Sequence, residues 1–217
     1  WNAYSFFTLY ANADGEPGRF RADSTDVLDR YILATTRALI ESTQARMDAF
    51  DIAGTCQDVL GFLDALNNWY IRRSRERFWG SGAGVSEQDR ADARDTLFTV
   101  LSTLVKVTGP LLPFLSEELF LGLQGRTDGD DDRSVHLEDW PDATALPADP
   151  DLVATMDRIR EVCSAGLSLR EDHRLRARLP LASVTVAGND VAALAPLTVV
   201  GVGSFEASFV PSVGDFD

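Results

Sequence analysis

Ile52, Cys56, Val59, Leu63, Leu66 and Tyr70 recur at alternating steps of four and three without a miss. Only a helix brings positions at that spacing onto one face, so the stripe predicts a long helix packed in a bundle. Similar runs lie on both sides of it. Val27, Leu28, Tyr31, Ile32, Leu39, Ile40 and Met47 form an apolar line reaching about Phe50. Asp23-Ser24-Thr25 is a start signal for that run, with Asp26 in its first turn, where a carboxylate suits the helix dipole. Ser86, followed by Glu87, Gln88 and Asp89, starts another helix through Leu97, Leu101, Leu104 and Thr108. Gly109-Pro110 ends it, and Pro113 opens a fourth helix from Phe114 to about Gln124. The fold class is mainly α: an antiparallel helix bundle.

Three regions follow. Residues 1–125 form the helical bundle. Residues 126–148 are an acidic linker punctuated by Gly and Pro. Residues 149–217 comprise a helix from about Asp149 to Arg170 and a small C-terminal α/β appendage. The appendage is expected to hold a strand at Leu181–Val186, a short helix from Asp190 to Leu194, and strands at Leu197–Val202 and Phe205–Val210. Gly80-Ser81-Gly82-Ala83-Gly84 is a flexible connection; a phosphate loop would need Gly-Lys-Ser/Thr leading into the next helix. Apolar runs such as Leu111 to Leu115 are too short to span a bilayer, and no basic-then-apolar leader is present, so no membrane is expected. Cys56 and Cys163 lie far apart with no partner spacing, which fits a reducing cytoplasm.

The chain is acidic, with a formal net charge of −14 and Lys106 as its single lysine. That bias reads as a property of the source. The basic residues gather at 72–77 and at 158–178, so an anion-binding surface would be built there. In the first stretch Arg72, Arg73, Arg75 and Arg77 sit among Trp69, Tyr70, Phe78 and Trp79. At about 100° per residue, Arg77 continues the apolar stripe and Arg73 lies on its shoulder, able to stack on Trp69. Arg72, Arg75 and Trp79 point the opposite way, toward solvent or a partner. Tyr70 belongs to the buried stripe, and the core reading is the stronger one for Trp69 as well. A merely solvated face is as good a reading of Arg72 and Arg75 as a contact.

Catalytic chemistry is not legible. His136 and His173 are the only histidines, neither has a ligand-spaced neighbour, and no metal site is expected. Glu117 and Glu118 diverge by about 100° on a helix, which speaks against a shared acid–base site. There is no nucleophile elbow, His-Glu-x-x-His or dinucleotide fingerprint. The expectation is a recognition module without catalytic residues of its own. Two kinds of partner suit the arginine–aromatic patch: a nucleic acid, or a protein docking on a Trp/Arg hot spot.

Asn68-Trp69-Tyr70-Ile71-Arg72-Arg73-Ser74-Arg75, with Arg77-Phe78-Trp79, resembles the signature of the anticodon-binding domain of isoleucyl-tRNA synthetases. Trp1-Asn2-Ala3-Tyr4-Ser5-Phe6-Phe7 resembles the opening of that domain. Asp29-Arg30-Tyr31-Ile32-Leu33 is similar to its first long helix. Pro113-Phe114-Leu115-Ser116-Glu117-Glu118 resembles a helix shared with the valyl and leucyl enzymes, whose equivalent domains are the alternative assignment. Ser134-Val135-His136-Leu137 with Asp139-Trp140-Pro141 resembles the segment that follows in the family, and the Trp69–Arg75 run and Ser134-Val135-His136-Leu137 favour the isoleucyl enzymes. Arg176, Arg178, Pro180 and Leu181 resemble the junction beyond.

The resemblance covers roughly residues 1–187; the tail from about Gly201 departs from the family pattern. It implies a bundle of the class I synthetase anticodon-binding type that grips the anticodon stem-loop of isoleucine tRNA. A catalytic domain of the same polypeptide would charge the tRNA with ATP and Mg. The ATP-handling His-Ile-Gly-His and Lys-Met-Ser-Lys-Ser elements are absent from these 217 residues, so no cofactor is expected in them. A cytoplasmic monomer is expected. Loop bases splay out to stack on rings or guanidinium planes while other arginines hold phosphates. On this view Arg72, Arg75, Phe78 and Trp79, with Arg73 and Trp69, are the tRNA-binding residues. Arg174, Arg176 and Arg178, beside Arg170 and His173, offer a second basic stretch toward the stem.

Overall fold

Asp26 caps the first long core helix with its own side chain. Its carboxylate accepts the backbone N–H groups of Leu28 at 2.9 Å and Asp29 at 3.2 Å, satisfying donors that a helix start leaves orphaned. Asp26 is therefore the cap and not a first-turn residue, and α2 spans Val27–Asp48. Asp51 caps α3 (Ile52–Asp64) through Gly54 N–H at 2.9 Å. Ser86 caps α5 (Glu87–Thr108) through Asp89 N–H at 3.0 Å. Pro113 is the first residue of α6 (Pro113–Leu123). The starts at Ser86 and Pro113 fall where their short local signals put them, whereas the α2 cap falls just after the Asp23-Ser24-Thr25 signal and the Asp51 cap has no counterpart among the signals read from the sequence. The computed structural model describes residues 1–80, 85–125, 133–176, 184–186 and 207–209.

A further helix, α1 (Asn2–Asp14), precedes these and ends on Gly15 at φ 67. It buries the narrow line Ala3, Phe7 and Ala11. Two of those three are alanines, so the line is faint as an apolar pattern. In the unit Trp1–Asp149, α2 packs against α3 and α5, and α5 also packs against α1 and α6. Tyr31, Ile32, Leu33 and Ile40 on α2 and Leu97 and Val100 on α5 are fully buried where these two helices pack, as are Leu66 and Tyr70.

The stripe read along residues 52–70 needs correction. Ile52 and Cys56 are exposed, and the buried line is Thr55, Val59, Phe62 and Leu66. After α3 the chain widens into π-helix over Ala65–Ile71 before resuming as α4 (Arg72–Trp79). Hydrogen bonds from i to i+5 add a residue to the turn, so side chains on either side no longer share a 3.6-residue register. Ala65, Leu66, Trp69, Tyr70 and Ile71 are all buried there. Tertiary contact offsets the poor π geometry.

The described part of the expected 126–148 linker, residues 133–148, is not a free linker. Glu117 accepts both the Ser134 hydroxyl at 3.0 Å and the Val135 N–H at 2.8 Å. Val135 joins Val105 and Phe120 in a small apolar cluster, and Arg37 donates to the Leu146 carbonyl at 3.0 Å. The segment is polar in sequence, yet its few apolar residues and backbone groups find places on the bundle. The second unit, Pro150–Asp217, contains α7 (Pro150–Asp172) and two short parallel strands, β1 (Val184–Val186) and β2 (Ala207–Phe209), with Val184 opposite Ala207. The expected helix at 190–194 and strand at 197–202 lie outside the described residues. No helix among the described residues is long and apolar enough to cross a membrane.

Candidate nucleic-acid interface

Helix α4 carries the arginine–aromatic segment and stops abruptly. Gly80 adopts φ 64 and its N–H returns to the Glu76 carbonyl at 3.1 Å, a left-handed cap that favours glycine. Ser74, Arg77 and Phe78 face inward. Arg72, Arg75 and Trp79, spaced i, i+3 and i+7, form an exposed ridge, with Trp79 at 51% exposure. That division matches the outward and inward faces read from the stripe, for these positions.

Phe78 does not belong to the accessible set. It is 2% exposed, with its ring edge-on to Phe6 at 4.9 Å and 6.0 Å from Tyr10. Helix α1 covers it. Trp69 is also buried, at 9%, and the Arg73 guanidinium lies 3.7 Å from its ring centroid. The guanidinium stacks on the indole, so the buried Trp69 has no open ring face there for a ligand.

Beneath the ridge lies a buried ionic network. Arg77 donates from Nη1 and Nη2 to the two Asp29 oxygens at 2.8 and 2.9 Å. It also donates from Nε to Asp89 at 2.8 Å, from Nη1 to Asp26 at 3.3 Å, and from Nη2 to the Asp89 carbonyl at 3.3 Å. All its N–H donors are thereby used. Asp29 in turn accepts the Tyr70 hydroxyl at 2.9 Å and the Ser24 hydroxyl at 2.7 Å. Burial opposes the Arg77 charge, but the hydrogen bonds and charge of Asp29, with Tyr70 and Asp26, raise its pKa above the ordinary arginine value. Burial, then the Asp29 charge, pushes the Tyr70 hydroxyl well above the usual tyrosine range. Arg77 is thus a bracket fixing α4 to α2 and α5.

Elsewhere in the bundle, arginines are mostly matched with acids. Arg21 pairs with Asp23 and Asp92, Arg30 with Asp149, and Arg37 with Glu41. Arg46 pairs with Asp51 and Asp58, while Arg90 and Arg94 flank Asp14. Arg72 and Arg75 make no ion pair with any described residue and stand in solvent. On a chain of net charge −14, these exposed cations beside an exposed indole make a local positive spot that can receive a phosphate and a flat ring together.

Tyr10 was not singled out by the sequence. Its oxygen accepts the Trp79 indole N–H, and its ring sits 4.8 Å from Phe6. The spacing of Phe6 and Tyr10, four apart on a helix face, was the available signal. In the second unit, Arg174 and Arg176 are exposed just beyond α7, where Arg174 adopts φ 54. Arg170 is buried and donates to the Arg176 carbonyl at 3.0 Å. Arg178 lies outside the described residues. No group of three His, Cys, Asp or Glu side chains among the described residues converges as a metal-ligand set.

A family model described as the anticodon-binding domain of tRNA ligase matches residues 29–186. The isoleucine–tRNA ligase of Nocardia farcinica is 51% identical over 196 residues, covering 90% of this chain and 17% of the relative. That of Leifsonia xyli subsp. xyli is 50% identical over 204 residues, covering 92% and 17%. That of Mycobacterium tuberculosis is 46% identical over 196 residues, covering 90% and 17%. The chain therefore spans 17% of the length of these curated relatives.

Proposed function

The chain belongs to the family of anticodon-binding domains of tRNA ligases, and on that premise we propose that it grips the anticodon stem-loop of isoleucine tRNA within an isoleucine–tRNA ligase. The carrying observation is the ridge on α4. Arg72 and Arg75 remain exposed without a described acidic partner, on a chain whose other bundle arginines are largely matched. Trp79 continues the same face one helical turn beyond Arg75. Arginines at that spacing hold successive phosphates, and the indole stacks on an unpaired base.

Charging of the tRNA with isoleucine, using ATP and Mg, belongs to a catalytic body of the same polypeptide, and no residue of this chain is assigned to either group. Arg73 and Trp69 support the ridge from within, while Arg174, Arg176 and Arg178 supply a secondary cationic stretch for the stem. The complete ligase works as a cytoplasmic monomer. The test is affinity for an isoleucine-tRNA anticodon stem-loop against a loop-shuffled control, titrated in salt. Preferential, salt-sensitive binding is expected. Equal affinity for both RNAs rejects specific recognition, and salt-insensitive capture of a protein by the same patch would favour docking.

A further inference from the structure

Tyr10 lies on α1, outside the stretch matched by the family model, yet it touches the one large aromatic on the exposed face of α4. We propose that Tyr10 is a positioning residue for RNA: its hydroxyl oxygen holds the edge of the Trp79 indole so that the open ring face is a stacking shelf for one unpaired base of the anticodon loop. The inference rests on the reading of the α4 ridge given above.

Three observations combine. Trp79 is half exposed although tryptophan is ordinarily well buried, and its single polar atom is engaged by Tyr10. The ring is therefore tethered by its edge while a face stays available. The tether is itself anchored: Tyr10 packs on half-buried Phe6 at 4.8 Å, and both rings contact buried Phe78 at 6.0 and 4.9 Å. Aromatic contact thus runs without a break from the core to the surface. Finally, Gly80 ends α4 immediately after Trp79, and Arg75 stands one turn earlier on the same face, where it would meet the phosphate next to a stacked base. A ring already held in its binding orientation loses less side-chain freedom when RNA arrives.

Tyr10→Phe keeps the ring packing and removes the acceptor. In the 217-residue polypeptide, its urea midpoint should match wild type. Its affinity for the isoleucine stem-loop should fall about three- to tenfold, the worth of one net hydrogen bond. Trp79→Ala should lose about five- to hundredfold, as a base–aromatic stack does. The double variant should bind no more weakly than Trp79→Ala. In protein labelled with 5-fluorotryptophan, the Trp79 signal, assigned by Trp79→Phe, should move in Tyr10→Phe before RNA is added. Additive losses, or wild-type affinity in Tyr10→Phe while Arg72→Ala/Arg75→Ala abolishes binding, overturn the shelf and leave the tRNA reading intact. A wild-type protein that binds the stem-loop no better than a loopless duplex sinks both.

Discussion

Arg77 and Asp29 lie 48 residues apart and meet in a two-bonded pair at 2.8 and 2.9 Å, with the Asp29 side chain completely buried. The pair decides how α4 presents its outer face, because every degree of rotation about the helix axis would pull the fork off the carboxylate. Breaking a buried pair by removing one partner costs about 3–5 kcal/mol, and because Asp89 and Asp26 still face Arg77 when Asp29 is lost, the lower end of that range applies. Asp29→Ala should lower the unfolding free energy by that amount in urea titration. Tyr70→Phe, which deletes one neutral donor to the same carboxylate, should cost only about 1 kcal/mol. Equal costs for the two variants would show that the ion pair is not the anchor.

Arg72 and Arg75 carry a different expectation, because they are exposed and pair with no acid among the described residues. Arg72→Ala and Arg75→Ala should leave stability within about 0.5 kcal/mol of wild type. Each should weaken RNA binding and reduce the slope of log affinity against log salt by about 1. Slopes that do not change would mean these guanidinium groups do not reach phosphate.

Asp51 offers a pH test away from the interface. Its backbone bond to Gly54, then its bond to Arg46, hold its carboxyl below the ordinary carboxylate range. A depressed folded value stabilises the protein above the unfolded pKa, about 3.9, and that contribution is lost as pH falls through the lower folded value. Asp51→Asn keeps a good cap without the charge. Its melting temperature should fall short of wild type at neutral pH, and the gap should close below about pH 4. A gap that stays constant into acid would mean the carboxylate charge contributes nothing.

The helix starts were legible because caps are local: Ser86 and Pro113 act within one turn of themselves. So was the sorting of Arg72, Arg75, Arg77 and Trp79, which depends only on rotation from Tyr70. Phe78 shows the limit of such a reading. It lies about 80° off the Tyr70 line, on a shoulder that local periodicity leaves undecided. What buries it is α1, some 70 residues upstream in sequence. Tyr10 was overlooked for the same reason, since α1 buries mostly alanine and shows little periodic contrast. The acidity and Gly/Pro content of residues 126–148 predict a linker, whereas Glu117 and the Val105–Phe120–Val135 cluster dictate where its described part lies.

The π segment Ala65–Ile71 escaped the sequence because nothing in its residues forbids an ordinary α-helix; what selects the wider turn is the set of contacts on both sides of it. Upstream, Val59 and Phe62 seat α3 against α2. Downstream, Tyr70 and Arg77 must both reach Asp29. One residue too few would turn α4 by about 100° against α3, carrying Arg77 off Asp29 and swinging the Arg72–Arg75–Trp79 face round the helix. Asn68 is the exposed position at which to test this, since its side chain only bonds Asp64 at 2.6 Å. Asn68→Ala preserves chain length and should change stability by no more than about 0.5 kcal/mol. Deleting Asn68 should cost at least about 3 kcal/mol, the toll of a broken buried pair, and should abolish stem-loop binding under conditions where the remaining folded protein is still the majority by circular dichroism. Should the deletion variant keep both its stability and its RNA affinity, the extra residue in that turn is not what aims the ridge.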